Sequence, residues 1–364
     1  LATNLGFHYG LVNWFLGNNI NARPSTNFIV PYLTAVGLLK AEANNLDLAY
    51  AYKQVCADTL NAADAGQQSA LQTVLERKQL LLTRPLEVLL NEPHILAGWL
   101  SSNQGNFTLE GGKVSWSVNP IRVLADTYHF LNLDYCDSKP AAAMIWDHDN
   151  EILSQAIAFY DTLEDKLGTS QYATIEAALA ASAPVGVSDE QWQEAKAAHA
   201  GYQAGSEIFS LLPYIATVTD FFALQVNADL SIEIPTKLTD VSLQKAMAKV
   251  LVPPPVAKSD EILAPTGGMF YSCEAPGMPA FVEQGSHFNA GEPLYIIEVM
   301  KMFNKVIAPF SGTIEKILIE ADGEIIKSGQ PLFKITPDEV VIEESPAEYK
   351  ARRQGATNRF LQAQ

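Results

Sequence analysis

Apolar residues recur three and four apart over 47–60, 67–82, 85–100, 121–131, 151–167, 174–181 and 189–222, the spacing that lines one face of a helix. An apolar-rich run over 5–15 follows Thr3-Asn4, and either polar residue can cap a helix there. Pro85 near one predicted start and Ser188-Asp189 ahead of another suit the first helical turn. Pro93 and Pro213 fall inside periodic runs and are expected to kink or split them. Residues 107–118 alternate around Gly111-Gly112, a hairpin signal, and 230–234 form a second candidate strand. Past residue 260 the period shortens. Apolar or alternating runs at 294–299, 305–307, 313–319 and 332–335 read as strands. The expected fold class is α+β and multidomain: a mainly helical N-terminal and middle region with a small hairpin, then an all-β module.

That module repeats itself. Ala264-Pro265-Thr266-Gly267-Gly268 returns 44 residues later as Ala308-Pro309-Phe310-Ser311-Gly312. Gly285 and Gly291-Glu292-Pro293-Leu294 return 38 residues later as Gly323 and Gly329-Gln330-Pro331-Leu332. Two similar half-units, each with one apolar face, can bury those faces against each other in a small flattened sandwich. The consecutive prolines of Val252-Pro253-Pro254-Pro255-Val256 predict an extended tether over 251–260. After Pro337 the chain turns acidic, then polar with Lys350, Arg352, Arg353 and Arg359, so 338–364 is expected to be a polar tail, either a loose helix or disordered.

Composition removes several classes of function. A net charge of −17 over 364 residues leaves no basic stripe to neutralise phosphates, which argues against a nucleic-acid partner. Cys56, Cys136 and Cys273 are far apart, without metal-ligand spacing, and fit a reducing compartment. No run of 18 apolar residues occurs, so no membrane span is expected. His8, His94, His129, His148, His199 and His287 are scattered, with no pair at i, i+4. His129 is read as a packed helix residue, and Trp146-Asp147-His148-Asp149 as a polar surface turn rather than a metal cluster. No glycine-rich loop with a following lysine and hydroxyl is present to cradle phosphate. Neither a catalytic constellation nor a metal site is assigned.

One chemical feature remains. In Glu298-Val299-Met300-Lys301-Met302-Phe303-Asn304 a lysine sits between two methionines, near the reversal of two predicted strands. A hairpin tip exposes a long amine while the scaffold stays rigid, which suits covalent modification. The plainer alternative makes Met300 and Met302 core residues and Lys301 an ordinary surface lysine. Together with the repeat, residues 261–337 resemble the biotinyl (biotin carboxyl carrier) domain of biotin-dependent carboxylases, in which the lysine of a Met-Lys-Met triplet carries biotin. The resemblance implies that biotin protein ligase joins biotin to Lys301 and recognises a hairpin surface shaped by Glu298, Val299, Met300 and Met302. Many members have alanine where this chain has Val299. Residues 272–283 resemble the protruding thumb of some bacterial carrier proteins, and by themselves read only as a Pro/Gly-rich loop. A lipoyl domain shares the duplicated scaffold but displays Asp-Lys-Ala, so Met300-Lys301-Met302 favours biotin.

The start of the chain, Thr3-Asn4 and then Ser25-Thr26-Asn27-Phe28-Ile29, resembles the end of a biotin carboxylase domain. The two resemblances imply a domain plan: 1–41 as that end, 42–250 as a helical linking or assembly domain, 251–260 as tether, 261–337 as carrier and 338–364 as tail. They also imply a missing ATP-grasp core using ATP, Mg²⁺ and bicarbonate to carboxylate biotin on Lys301. A carboxyltransferase domain or subunit then passes the carboxyl to an acyl-CoA, within an oligomeric complex of fatty acid metabolism. On this view the chain is a non-catalytic carrier and scaffold of a ligase, expected in the cytoplasm, with an organellar matrix as the alternative. A lipoyl-type carrier of a dehydrogenase complex and an unmodified binding or assembly module stay open.

Overall fold

A computed structural model describes residues 4–131, 154–159, 161–162, 174–181, 183, 185–253, 260–319, 321–339 and 344–364. The chain divides into two units, Leu1–Leu251 with Pro346–Gln364, and Val252–Ser345. The first contains α1 (Leu5–Asn18), α2 (Ile29–Ala43), α3 (Leu48–Ala62), α4 (Gln68–Asn91) and α5 (Pro93–Asn103). A hairpin of β1 (Phe107–Glu110) and β2 (Lys113–Trp116) follows, then α6 (Pro120–Phe130). Further helices cover Ile175–Ala180, Asp189–Phe209, Leu211–Val218, Val241–Leu251 and Pro346–Ala363, with a small pair β3 (Gln225–Val226) and β4 (Ile232–Glu233). Trp14, Tyr32, Trp99, Tyr128, Phe209 and Phe360 are buried in one core.

Several starts follow local chemistry. Asp47 caps α3 by accepting from the Tyr50 amide at 3.0 Å. Ser188 and Gln191 form a reciprocal capping box ahead of the Asp189–Phe209 helix. The periodic run over 189–222 is split at Ser210, just before Pro213. Of the predicted 151–167 helix, 154–159 and 161–162 are helical. Its remainder, the Trp146–Asp149 turn, Cys136, the His129 side chain and tether residues 254–259 lie outside the described residues.

Other expectations are corrected. Asn4 occupies the cap position of α1 without a capping side-chain bond. Helix α2 was not anticipated: apolar residues surround it and Tyr32, Val36, Leu39 and Ala43 are all buried, so no stripe marks it. Residues 5–43 lie in one compact unit with the helices that follow. Helix α1 lies so close to α5 that a Cβ on Gly10 would sit 2.3 Å from the His94 carbonyl oxygen, and both helices share the core. Nor are residues 346–363 a loose tail. The Pro346–Ala363 helix buries Ala356, Thr357 and Phe360, and Phe360 packs on Tyr214 with ring centroids 5.2 Å apart.

Pro85 does not start a helix either; it lies inside α4, and Pro93 opens α5. A proline at 85 leaves the Leu81 carbonyl without its i+4 donor. The buried Tyr128 hydroxyl donates to that carbonyl at 2.7 Å, which is why α4 runs on to Asn91.

The second unit contains β5 (Glu261–Leu263), β6 (Gly268–Tyr271), β7 (His287–Phe288), β8 (Pro293–Val299), β9 (Met302–Ile307), β10 (Gly312–Ile317), β11 (Ile325–Ile326) and β12 (Pro331–Pro337). The runs read as strands from sequence fall in β8, β9, β10 and β12. Two four-stranded sheets form, ordered β5-β12-β10-β7 and β11-β6-β8-β9. Advancing every strand number by four, cyclically, turns one order into the other. Matching backbone groups also exchange matching bonds. The Gly285 and Gly323 amides donate to the Ile314 and Phe270 carbonyls, both at 2.7 Å. The Gly291 and Gly329 amides donate to the Ala308 and Ala264 carbonyls, both at 2.8 Å.

At one core position the halves differ by a single hydroxyl. Tyr295 stands where the other half has Phe333, 38 residues on, and both are buried with ring centroids 5.9 Å apart. The Tyr295 hydroxyl is buried without a hydrogen-bond partner among the described residues, and burial pushes its pKa up to about 12.

Two stability outcomes are expected. Tyr128→Phe should cost the helical unit about 1–3 kcal/mol. In a Pro85→Ala background, where residue 85 regains its amide, that cost should shrink; a double-mutant cycle from denaturant midpoints checks it. Tyr295→Phe removes an unsatisfied hydroxyl and keeps the ring, so it should stabilise the β unit by about 1 kcal/mol or more, read as a higher unfolding midpoint.

Candidate functional site

Strands β8 and β9 are joined by Met300 and Lys301 alone, with Val299 paired to Met302. Met300 has φ 51° and Lys301 φ 66°. A two-residue loop with both central residues at positive φ is the type I′ pattern, whose twist matches the flanking strands and which favours Asn-Gly. For residues with a Cβ this region costs roughly 1–2 kcal/mol each. Residues held in such conformations cluster at functional sites.

The tip is braced from β6. Met269 and Phe303 lie directly opposite Glu298 on its two neighbouring strands, β6 and β9. The Tyr271 hydroxyl donates to Glu298 Oε2 at 2.8 Å, and that carboxylate bond raises the Tyr271 pKa. The Tyr271 ring also meets Phe303 at 5.8 Å between centroids. At Gly268 an added Cβ would lie 2.6 Å from the Glu298 carbonyl oxygen, so only glycine lets β6 approach the tip this closely. Val299 is half-buried against the β-unit core. Met300 is 90% exposed, Met302 62% and Phe303 63%. The alternative that the methionines are core residues is thereby corrected: they form an apolar collar in solvent. Lys301 is exposed, with no hydrogen bond or ion pair for its amine among the described residues.

Residues 272–283 project beside this hairpin and close on themselves through a bridge between Cys273 and Ala280. Lys305 of β9 ties the loop down, pairing with Glu274 at 2.8 Å and lying 5.9 Å from the Phe281 ring centroid. The Ser272 amide donates to Asp322 at 2.6 Å. Sequence reasoning missed the Tyr271 and Phe303 braces. Strand alternation alone would have put both on the Glu298 face once the register was known.

In the helical unit His199 is buried, 3.4 Å from Glu176. Burial lowers its pKa, outweighing the carboxylate, so it is a neutral packed residue near pH 7. Among the described residues no group of three His, Cys, Asp or Glu is placed to hold a metal, and no helix is long and apolar enough to cross a membrane.

Comparison with known proteins bears on the β unit. The model of a family described as "Biotin-requiring enzyme" matches residues 260–335. The chain is 41% identical over 81 residues to the biotin carboxyl carrier protein of acetyl-CoA carboxylase from Nostoc sp., covering 22% of this chain and 44% of that protein. It is also 41% identical over 81 residues to the corresponding Pseudomonas aeruginosa protein, covering 22% and 51%. A chloroplastic carrier protein from Arabidopsis thaliana is 42% identical over 74 residues, covering 20% and 29%. The match thus spans about half or less of these relatives' length. A solved single-chain, multi-domain long-chain acyl-CoA carboxylase aligns over 33% of this chain and 13% of its own, at 18% identity and a TM-score of 0.19. Residues 260–335 are a domain of the biotin-requiring enzyme family, homologous to the biotin carboxyl carrier proteins of acetyl-CoA carboxylase.

Proposed function

We propose that Lys301 is the residue that carries biotin, and that this chain is the carrier and scaffold part of a biotin-dependent carboxylase. The observation that carries this reading is the strained two-residue tip, which presents an exposed amine with no competing partner among the described residues. An amide to the biotin carboxyl needs such an amine, so the residues present fit the group. When bound, biotin supplies a ureido nitrogen that takes up and gives up a carboxyl group. The chain's own residues do the rest. Glu298, Val299, Met300 and Met302 shape the surface a biotin protein ligase reads, while Tyr271 and Gly268 hold that surface still.

The β unit is read as a duplicated flattened sandwich, rigid beneath the tip, and the 272–283 loop as a thumb. Residues 1–41 are assigned to the end of a biotin carboxylase domain that packs into the helical unit, and 42–250 to linking and assembly. A carboxylase domain using ATP, Mg²⁺ and bicarbonate and a carboxyltransferase acting on an acyl-CoA are the proposed partners, in a cytoplasmic complex. Tethering raises the effective concentration of Lys301 at both active sites.

Coexpression with biotin protein ligase and excess biotin should add one biotinyl increment to the intact mass, and Lys301→Arg should remove it without unfolding the chain. An increment that survives in the variant sinks the assignment. No increment in folded protein points to lipoylation or an unmodified module. The turn makes a second expectation. Lys301→Gly should leave the β unit more stable than Lys301→Ala, by about 1 kcal/mol, the reverse of the usual order inside regular structure. Thermal midpoints of the two variants decide it.

A further inference from the structure

Between α3, α4, α6 and the Asp189–Phe209 helix of the helical unit lies a narrow cavity. Its walls are apolar, with Val55 from α3, Leu75 and Leu82 from α4, Leu124 from α6, and Phe209. About 40 Å³ is open to the centre of a water-sized sphere, where one water needs about 10–15 Å³. Such a space takes a short unbranched chain rather than a ring system.

Among the described residues Lys78 is the charged side chain in that wall. Polar neighbours in the wall are engaged or neutral. The Tyr52 hydroxyl donates to the Leu75 carbonyl, and the Tyr202 hydroxyl donates to Asn119 Oδ1 at 3.2 Å. Burial raises the pKa of the Cys56 thiol and keeps it protonated. Lys78 is half-buried, and its amine has no hydrogen bond or ion pair among the described residues. Burial pulls its pKa down to about 8, as happens to an ammonium taken from water without a counter-charge. Lys78 also lines an open cleft with Val74 and Gln191, which puts it where the cavity meets the surface.

Two glycines of the Asp189–Phe209 helix border the same space. At Gly201 an added Cβ would lie 2.6 Å from Val74 Cγ1, so close packing on α4 calls for glycine. At Gly205 an added Cβ would meet no atom within 4 Å. Packing gives no reason for glycine there, and inside a helix glycine is less stable than alanine. Its missing side chain keeps space clear at the edge of the cavity.

We propose that this cavity binds a short-chain carboxylate, with the alkyl tail among the apolar walls and the head paired with the Lys78 ammonium. The head supplies the counter-charge that the amine lacks, and the tail takes apolar wall out of contact with water. A neutral ligand would leave the ammonium unpaired, and an anion without a tail would leave the walls uncovered. Neither the site nor its test depends on modification of Lys301.

Isothermal titration of the full chain with butanoate, pentanoate, hexanoate and octanoate reads the site. The dissociation constant should fall about fourfold with each added methylene until the cavity is full, and then stop falling. Lys78→Met keeps an apolar stem and removes the charge. It should weaken hexanoate about 10- to 100-fold and leave the binding of hexanol unchanged. Gly205→Leu fills the edge of the cavity and should abolish binding of both, while circular dichroism and the unfolding midpoint show that the variant is folded. Absence of saturable hexanoate binding, an affinity that goes on rising through octanoate, or hexanoate binding that both substitutions leave unchanged overturns the assignment.

Discussion

In the β unit everything rests on the exchange of backbone hydrogen bonds between its two halves. Each half donates the amides of two glycines to carbonyls of the other, at lengths matched within the pairs. Neither half can form this ladder alone, because each supplies only one side of every bond. The exchange closes the two sheets over one core of Phe270, Leu294, Tyr295, Ile314, Phe333 and their neighbours. It also leaves β9 at the edge of its sheet, with its outward residues exposed. A rigid base with one exposed edge can hold two residues at positive φ, where a looser hairpin would relax. The strained tip is therefore a property of the whole unit rather than of seven residues.

The helical unit meets a different constraint, the close approach of its helices. Gly10 lets α1 lie against the His94 carbonyl, and Gly37 lets the Val241–Leu251 helix lie against α2. Where a helix gives up a bond to continue, another element restores it, as Tyr128 does for the Leu81 carbonyl above Pro85. Inside the core the Trp99 indole N–H also donates to the Thr127 hydroxyl at 2.8 Å. These are buried polar groups satisfied over long sequence separations, and residues of 5–18 and 346–363 bury side chains in the same core as the middle of the chain.

The sequence by itself determined those features that are local or repeated. Amphipathic stripes gave α3, α6 and the Asp189–Phe209 helix, Gly111-Gly112 gave the small hairpin, and the 38- and 44-residue offsets exposed the two halves of the β unit. The reversal near Lys301 was legible because the strand-like runs 294–299 and 305–307 lie only five residues apart. Tertiary structure decided the rest. Helix α2 is apolar on all sides, so periodicity carried no signal for it. The Pro346–Ala363 helix looked like a polar tail because only Ala356, Thr357 and Phe360 are buried, and those three acquire meaning only against Tyr214 and Asp47. Pro85 read as a helix start because the donor that rescues Leu81 lies 47 residues from it. Local spacing encodes which face of an element is apolar. What that face meets, and which distant group completes its hydrogen bonds, is set when the chain closes on itself.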